Sequence, residues 1–184
     1  MEAFFGRVMG QTPSLAPDVF VASGVVVVGK VRIGSRSSVW YGCVLRAEEE
    51  EVIIGEECNV QDLTMMHADP GFPAVLEDRV SVGHRAIIHG AIVRHDALIG
   101  MGATLLNGAV IGSGSVVAAG AVVPPGMEVP PGKLAAGVPA RVVREVRDSD
   151  RAMISNTHGT YLWKSGVHAA AEKLTFEDVS SPKE

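Results

Sequence analysis

Residues 93–129 read VRHDAL IGMGAT LLNGAV IGSGSV VAAGAV VPPGME V, a run in which residue character returns at every sixth position. Each block opens on an aliphatic residue: Val93, Ile99, Leu105, Ile111, Val117, Val123 and Val129. The same beat runs backwards through Ile88, Val82 and Leu76, then Met66, Val60 and Ile54. It continues through Leu45, Val39, Ile33, Val27, Val21 and Leu15. Four places after each opener stands a second inward candidate, usually small or β-branched. These are Val31, Ser37, Cys43, Cys58, Thr64, Val80, Ala86, Ala97, Ala103, Ala109, Ser115 and Ala121. Neither an α-helix nor an alternating strand repeats with period six. A unit this short cannot bury its own apolar side and must stack on its neighbours, which is the pattern of a β-helix.

The six-residue unit resembles that of the hexapeptide-repeat family of left-handed parallel β-helices, in which three units make one triangular turn. The resemblance covers about residues 12–140 and implies a mainly β fold with a C-terminal α-helix packed along the prism. Aromatics are scarce at 5%, as a narrow prism requires. Asn59 and Asn107 are expected to supply positive φ angles at tight corners, a conformation asparagine tolerates. An ordinary parallel sheet is excluded because no helical pattern interleaves the strands.

The chain divides at residue 140 into a β-helix domain, 1–140, and a C-terminal helical segment and tail, 141–184. Asp148 or Ser149 reads as the cap of a helix entering Arg151–Ile154. Breaks are expected near Gly159 or Gly166, a further helical piece over His168–Leu174, and fraying in the last ten residues. A net charge of −5 over 184 residues argues against nucleic acid as a partner. Cys43 and Cys58 read as buried free thiols rather than a disulfide framework. With no secretory signal and no apolar run able to cross a bilayer, the expectation is a soluble, cytoplasmic protein without a membrane partner.

The repeat breaks in three places, and breaks in a solenoid are where function is elaborated. Three residues are added in Arg46–Ile53, which carries Glu48 to Glu51. Four are added after Met66, in His67-Ala-Asp-Pro-Gly-Phe-Pro73. The unit at Ile88–Ile92 is one residue short. If the added residues are loops that leave the coil count unchanged, Leu45, Met66 and Ile88 stand one full turn apart. Arg46, His67 and His89, each directly after its opener, then stack on one face at the sheet spacing of about 4.8 Å. Gln61, Asp62 and His84 fall on the neighbouring face. Two imidazoles one rung apart are an incomplete metal site. A third from another subunit, in a trimer, would make the three-histidine pattern of catalytic zinc. Such a site lowers the pKa of water to about 7.

With Asn59-Val-Gln-Asp62, His67 and Gly83-His84-Arg-Ala-Ile-Ile-His89-Gly90 in place, the chain resembles the gamma-class carbonic anhydrases, above all their small, loop-trimmed bacterial branch. The resemblance implies a homotrimer that hydrates CO2 to bicarbonate, a lyase reaction, at a zinc (or Fe2+ or Co2+) held by His67, His89 and a neighbour's His84. It implies that Arg46 pairs with an acid across the interface, with Glu48 standing where the family has aspartate. It places Gln61 near the metal-bound solvent, Asp62 with His84 on the mating face as a further catalytic candidate, and Tyr161 on the C-terminal helix beside the site. The family's acidic proton-shuttle loop is absent, leaving Asp69 in a short proline-stiffened loop. Two other readings stay open. One is a hexapeptide acyltransferase using CoA, with His84 or His95 as base. The other is a non-catalytic trimer that binds metal or siderophore.

Overall fold

The computed structural model describes residues 2–172 together with Leu174 and Ser180. The period of six is the spacing between successive sides of a parallel β-helix. One column of backbone partners climbs through Phe5, Val27, Leu45, Met66, Ile88, Leu105 and Val123. A second climbs through Leu15, Ile33, Ile54, Leu76, Val93, Ile111 and Val129. The third holds Val21, Val39, Val60, Val82, Ile99, Val117 and Ala135. From the second turn upward every one of these is buried, as is every small residue expected four places on. Each Leu or Ile so placed contributes about 1.5–3 kcal/mol relative to exposure. The coil starts earlier than residue 12: Phe4–Gly6 already pairs in parallel with Val26–Val28.

The corners obey position rather than residue preference. In most units the backbone is left-handed three places after the opener, at glycines such as Gly102 and Gly120 but also at Arg36, Glu57, Leu63, Arg79, Arg85 and Asp96. Each non-glycine there costs about 1–2 kcal/mol, a strain that stacking on both sides holds in place. Asn59 and Asn107 do not supply these angles, contrary to expectation. Asn59 is buried within the strand Asn59–Val60, and Asn107 is engaged by its side chain. Glycines directly after an opener answer a different demand. A Cβ on Gly83 would stand 2.7 Å from the backbone nitrogen of Met101 on the next rung.

The three residues added after Arg46 do not leave the sheet as a loop. They are absorbed as a bulge inside one continuous strand, Val44–Ile54, where the partner of Gly29 is Ala47 but that of Val31 is Val52. The turn count survives, so the register argument holds.

The top of the third face is closed by Lys133–Gly137 pairing antiparallel with Ala140–Glu145. Helix α1 follows as Asp148–Ala169 and lies over that face. Its N-cap is Arg147, not Asp148 or Ser149. Asp150 accepts the Arg147 backbone N–H at 2.7 Å and the Arg144 guanidinium at 2.6 and 3.2 Å, bonds that bring its carboxyl down to about 2. The helix is unbroken at Gly159 and Gly166, and a Cβ at either position would meet open space. His168 belongs to α1, and Ala170–Glu172 form no further helix. The expected fraying of the last ten residues, Ser180 aside, lies outside the described residues. Aromatics sit outside the prism under α1, where Trp40 meets Phe20 and Tyr161 with ring centres 5.1 Å away. Cys43 and Cys58 are free, and burial pushes both thiols up to about 12. Among the described residues no helix is long and apolar enough to cross a membrane.

Candidate metal centre

Arg46, His67 and His89 are direct rung partners. Each follows a buried opener, so alternation along the strand turns its side chain outward. His67 Nδ1 lies 3.1 Å from His89 Nε2, with the rings 5.1 Å apart. Outer partners hold both rings. Glu48 reaches His67 Nε2 at 3.2 Å, and the Asn107 side-chain oxygen lies 2.7 Å from His89 Nδ1. Asn107 in turn donates from Nδ2 to Asp69 at 2.8 Å.

All three breaks in the repeat meet here. The first brings Glu48 to His67 and to Arg46, with which it forms an ion pair. Its neighbour Glu50 accepts from the Gly71 N–H of the second insertion at 3.3 Å. That insertion closes on itself through the Phe72 N–H and the Asp69 carbonyl at 2.8 Å, which returns the Asp69 carboxylate over the histidines. The shortened unit contributes Gly90 at φ 57°. A Cβ there would press on the Asn107 oxygen and stand 2.8 Å from Phe72 Cβ. Burial works to raise the Glu48 carboxyl, but the hydrogen bonds from Arg46 and His67 outweigh it and hold it below the ordinary range. Asp69 is likewise held low, chiefly by Asn107.

His84 is elsewhere on the same chain. Asp62 takes its Nδ1 at 2.8 Å, and the Tyr161 hydroxyl of α1 lies 3.3 Å from its Nε2. Burial raises the Tyr161 hydroxyl above its ordinary value, with Asp62 adding to the effect. Gln61 is buried under the helix, donating to Asn59 at 2.9 Å, and Asn59 donates to Ser81 at 2.7 Å. Gln61, His84 and Tyr161 border a cavity of about 470 Å³ whose other walls are largely apolar, among them Leu98, Met101, Val116 and Leu134. The cavity exists because the column that holds Trp40 and Gln61 shrinks to Gly83, Gly100 and Ala118 on the rungs above. His95 does not border it and is paired with Asp96 at 2.9 Å.

The donor set fits a tetrahedral divalent ion. Ligand atoms of His67, Asp69 and His89 all lie within 4.8 Å of one another. Two nitrogens bound to one zinc at about 2.0–2.1 Å stand about 3.3 Å apart, close to the 3.1 Å between His67 and His89. Among the described residues His84 is not part of this group. Sequence reasoning brought the two histidines together but gave Asn107 a role only as a corner residue, outside the site, and left Asp69 only as a loop acid. The available signal was the shortened unit, whose Gly90 lies beneath the Asn107 side chain.

Comparison with known proteins places the chain among hexapeptide-repeat proteins. The family model described as bacterial transferase hexapeptide, six repeats, matches residues 90–125. A protein named carbonic anhydrase from Geobacillus kaustophilus is 41% identical over 164 residues, 89% of this chain and 90% of its own length. Gamma carbonic anhydrase 3, mitochondrial, of Arabidopsis thaliana is 39% identical over 183 residues, 96% of this chain and 71% of its own. Among solved structures, a Bacillus cereus protein provisionally described as an acetyltransferase superposes with a TM-score of 0.90 at 37% identity. That superposition covers 93% of this chain and all of the other.

Proposed function

Since the chain belongs to the gamma carbonic anhydrase-like hexapeptide-repeat family, we propose that it is a carbonic anhydrase interconverting CO2 and bicarbonate. In this reading it assembles as a homotrimer whose metal is held between copies, by His67 and His89 of one chain and His84 of the next. The observation that carries the reading is the separation of the motif's histidines. Two face each other at 3.1 Å, while the third is held at another corner by Asp62 and Tyr161.

A divalent ion at such a site supplies acidified water as a nucleophile near neutral pH. The ion would be zinc, or the iron(II) or cobalt(II) that imidazole also accepts. The chain's own groups supply the rest. Asp62 takes the proton-bearing Nδ1 of His84 and leaves Nε2 as the ligating atom. Gln61 has its amide N–H committed to Asn59, so its carbonyl oxygen is the group free to accept a hydrogen bond from bound solvent. Arg46 and Glu48 form one charged pair beside His67, which keeps that imidazole oriented. The apolar wall of the adjoining cavity favours neutral CO2 and gives bicarbonate no charged partner. The short Asp69 loop is committed to Asn107 and does not carry protons outward, so turnover depends on external buffer.

Anaerobic purification with metal analysis, followed by stopped-flow CO2 hydration at rising buffer concentration, tests the reading. About one metal per chain and a rate that climbs with buffer are expected, both lost in His84→Ala. A metal-free chain with no hydration above the blank would overturn it. Metal without hydration would favour a non-catalytic binding role. One observation supports a second reading as an acyltransferase: the Asp62-oriented His84 stands at the mouth of a cavity large enough for an acyl chain. Transfer of acetyl from acetyl-CoA in the absence of metal would select it.

A further inference from the structure

We propose that Asn107, with Asp69 behind it, is a positioning residue that locks His89 with its proton on Nδ1 and so aims an unprotonated Nε2 into the metal site. The inference rests on the metal-site reading of His67 and His89 and concerns what prepares that site. It follows from counting donors. An ionised carboxylate only accepts hydrogen bonds. Asp69 Oδ2 lies 2.8 Å from the Asn107 side chain, so the group facing it must be the Nδ2 amide. The Asn107 amide is thereby fixed, and its oxygen faces His89 Nδ1 at 2.7 Å. That oxygen also only accepts, so Nδ1 carries the proton and Nε2 carries the lone pair. Glu48 does the same for His67 from the other side, taking the proton on Nε2 at 3.2 Å and leaving Nδ1 bare.

Two bare nitrogens therefore face each other across 3.1 Å. The two lone pairs repel each other unless a cation, whether a shared proton or a metal ion, stands between them, and both converge on the point where a metal ion would sit. The remaining Asp69 oxygen, 3.7 Å from His67 Nδ1, adds negative charge at the same place. Gly90 is what admits the arrangement, since any side chain there would collide with the Asn107 oxygen.

Long-range proton–nitrogen NMR of the 15N-labelled, metal-free chain reads the tautomer directly, and zinc affinity is measured against a competing chelator. The wild type should show His89 protonated at Nδ1. Asn107→Leu should populate the Nε2–H tautomer and weaken zinc by about 10–100-fold, the usual effect of losing an outer partner of a ligating histidine. Asp69→Ala frees the Asn107 amide to turn and should move both readouts the same way. It serves as the test if Asn107→Leu fails to fold. An unchanged His89 tautomer in the folded variant overturns the proposal. The tautomer is read without metal, so a chain that binds no zinc sinks the carbonic anhydrase reading while leaving this measurement decisive.

Discussion

Replacing Gly90 by alanine isolates what the shortened repeat does. Two opposing effects are general to such sites. An L-residue in the left-handed region costs about 1–2 kcal/mol, and the stiffer unfolded chain returns about 0.4–1 kcal/mol. Gly102 is the control. It has φ 67° and nothing within 4 Å of a built Cβ, so Gly102→Ala should destabilise by no more than about 1.5 kcal/mol. At Gly90, with φ 57°, the new methyl meets the Asn107 oxygen and stands 2.8 Å from Phe72 Cβ. Asn107 must swing away, breaking its bonds to His89 and Asp69. At about 1 kcal/mol each, these add about 2 kcal/mol to the general penalty. For a chain of this size that is a further fall of about 4–8 °C in melting temperature. Thermal melts in chelator, run beside Gly102→Ala, measure the difference, and metal analysis measures the site. If Gly90→Ala melts with Gly102→Ala and retains full metal, Gly90 does not serve the Asn107 bridge and the convergence argument fails.

Mixing His67→Ala and His84→Ala chains tests sharing of the site between copies. In a cyclic trimer each mixed assembly has one interface free of both lesions, so equimolar refolding should restore about a quarter of wild-type metal. Metal no higher than in either mutant alone, in verified mixed trimers, would refute sharing. His158 is expected to make the docking of α1 pH-dependent. Burial lowers its pKa, Arg79 and Arg36 add to the effect, and Asp96 opposes it. Glu57 lies 3.3 Å from its Nε2, and Arg151 borders the same cavity. A depressed histidine contributes stability that is present above its unfolded pKa of about 6.5 and lost as pH falls through the lower folded value. Denaturant midpoints taken from pH 7.5 down to 5 should therefore fall more steeply for wild type than for His158→Gln; parallel curves would exclude His158 as the source.

How far the site could be read from the chain depended on which constraint governed each residue. The stack of Arg46, His67 and His89 was legible because a coil must close on whole turns. Three added residues, then four, leave Leu45, Met66 and Ile88 in one column however the extra backbone travels. No such rule governs the path of the inserted backbone. Nothing in the period says that Asp69 returns over His67, or that Glu48 stays within a strand and reaches an imidazole. Local preference misled where stacking overrode it. Asparagine's tolerance of left-handed backbone pointed to Asn59 and Asn107 as corner residues, yet in the regular units the left-handed corner falls three places after the opener and is occupied by whatever stands there, Leu63 and Arg79 included. The cap of α1 was missed for a related reason. Asp150 is recruited by Arg144 from the preceding strand, a partner that helix-start patterns do not consider. A prism of uniform hexapeptides offers outward side chains in straight columns about 4.8 Å apart, which is too regular to surround an ion. Closing Glu48, Asp69 and Asn107 around His67 and His89 requires backbone that departs from the period on three successive rungs. The breaks are therefore where this chain spends regularity to build a site.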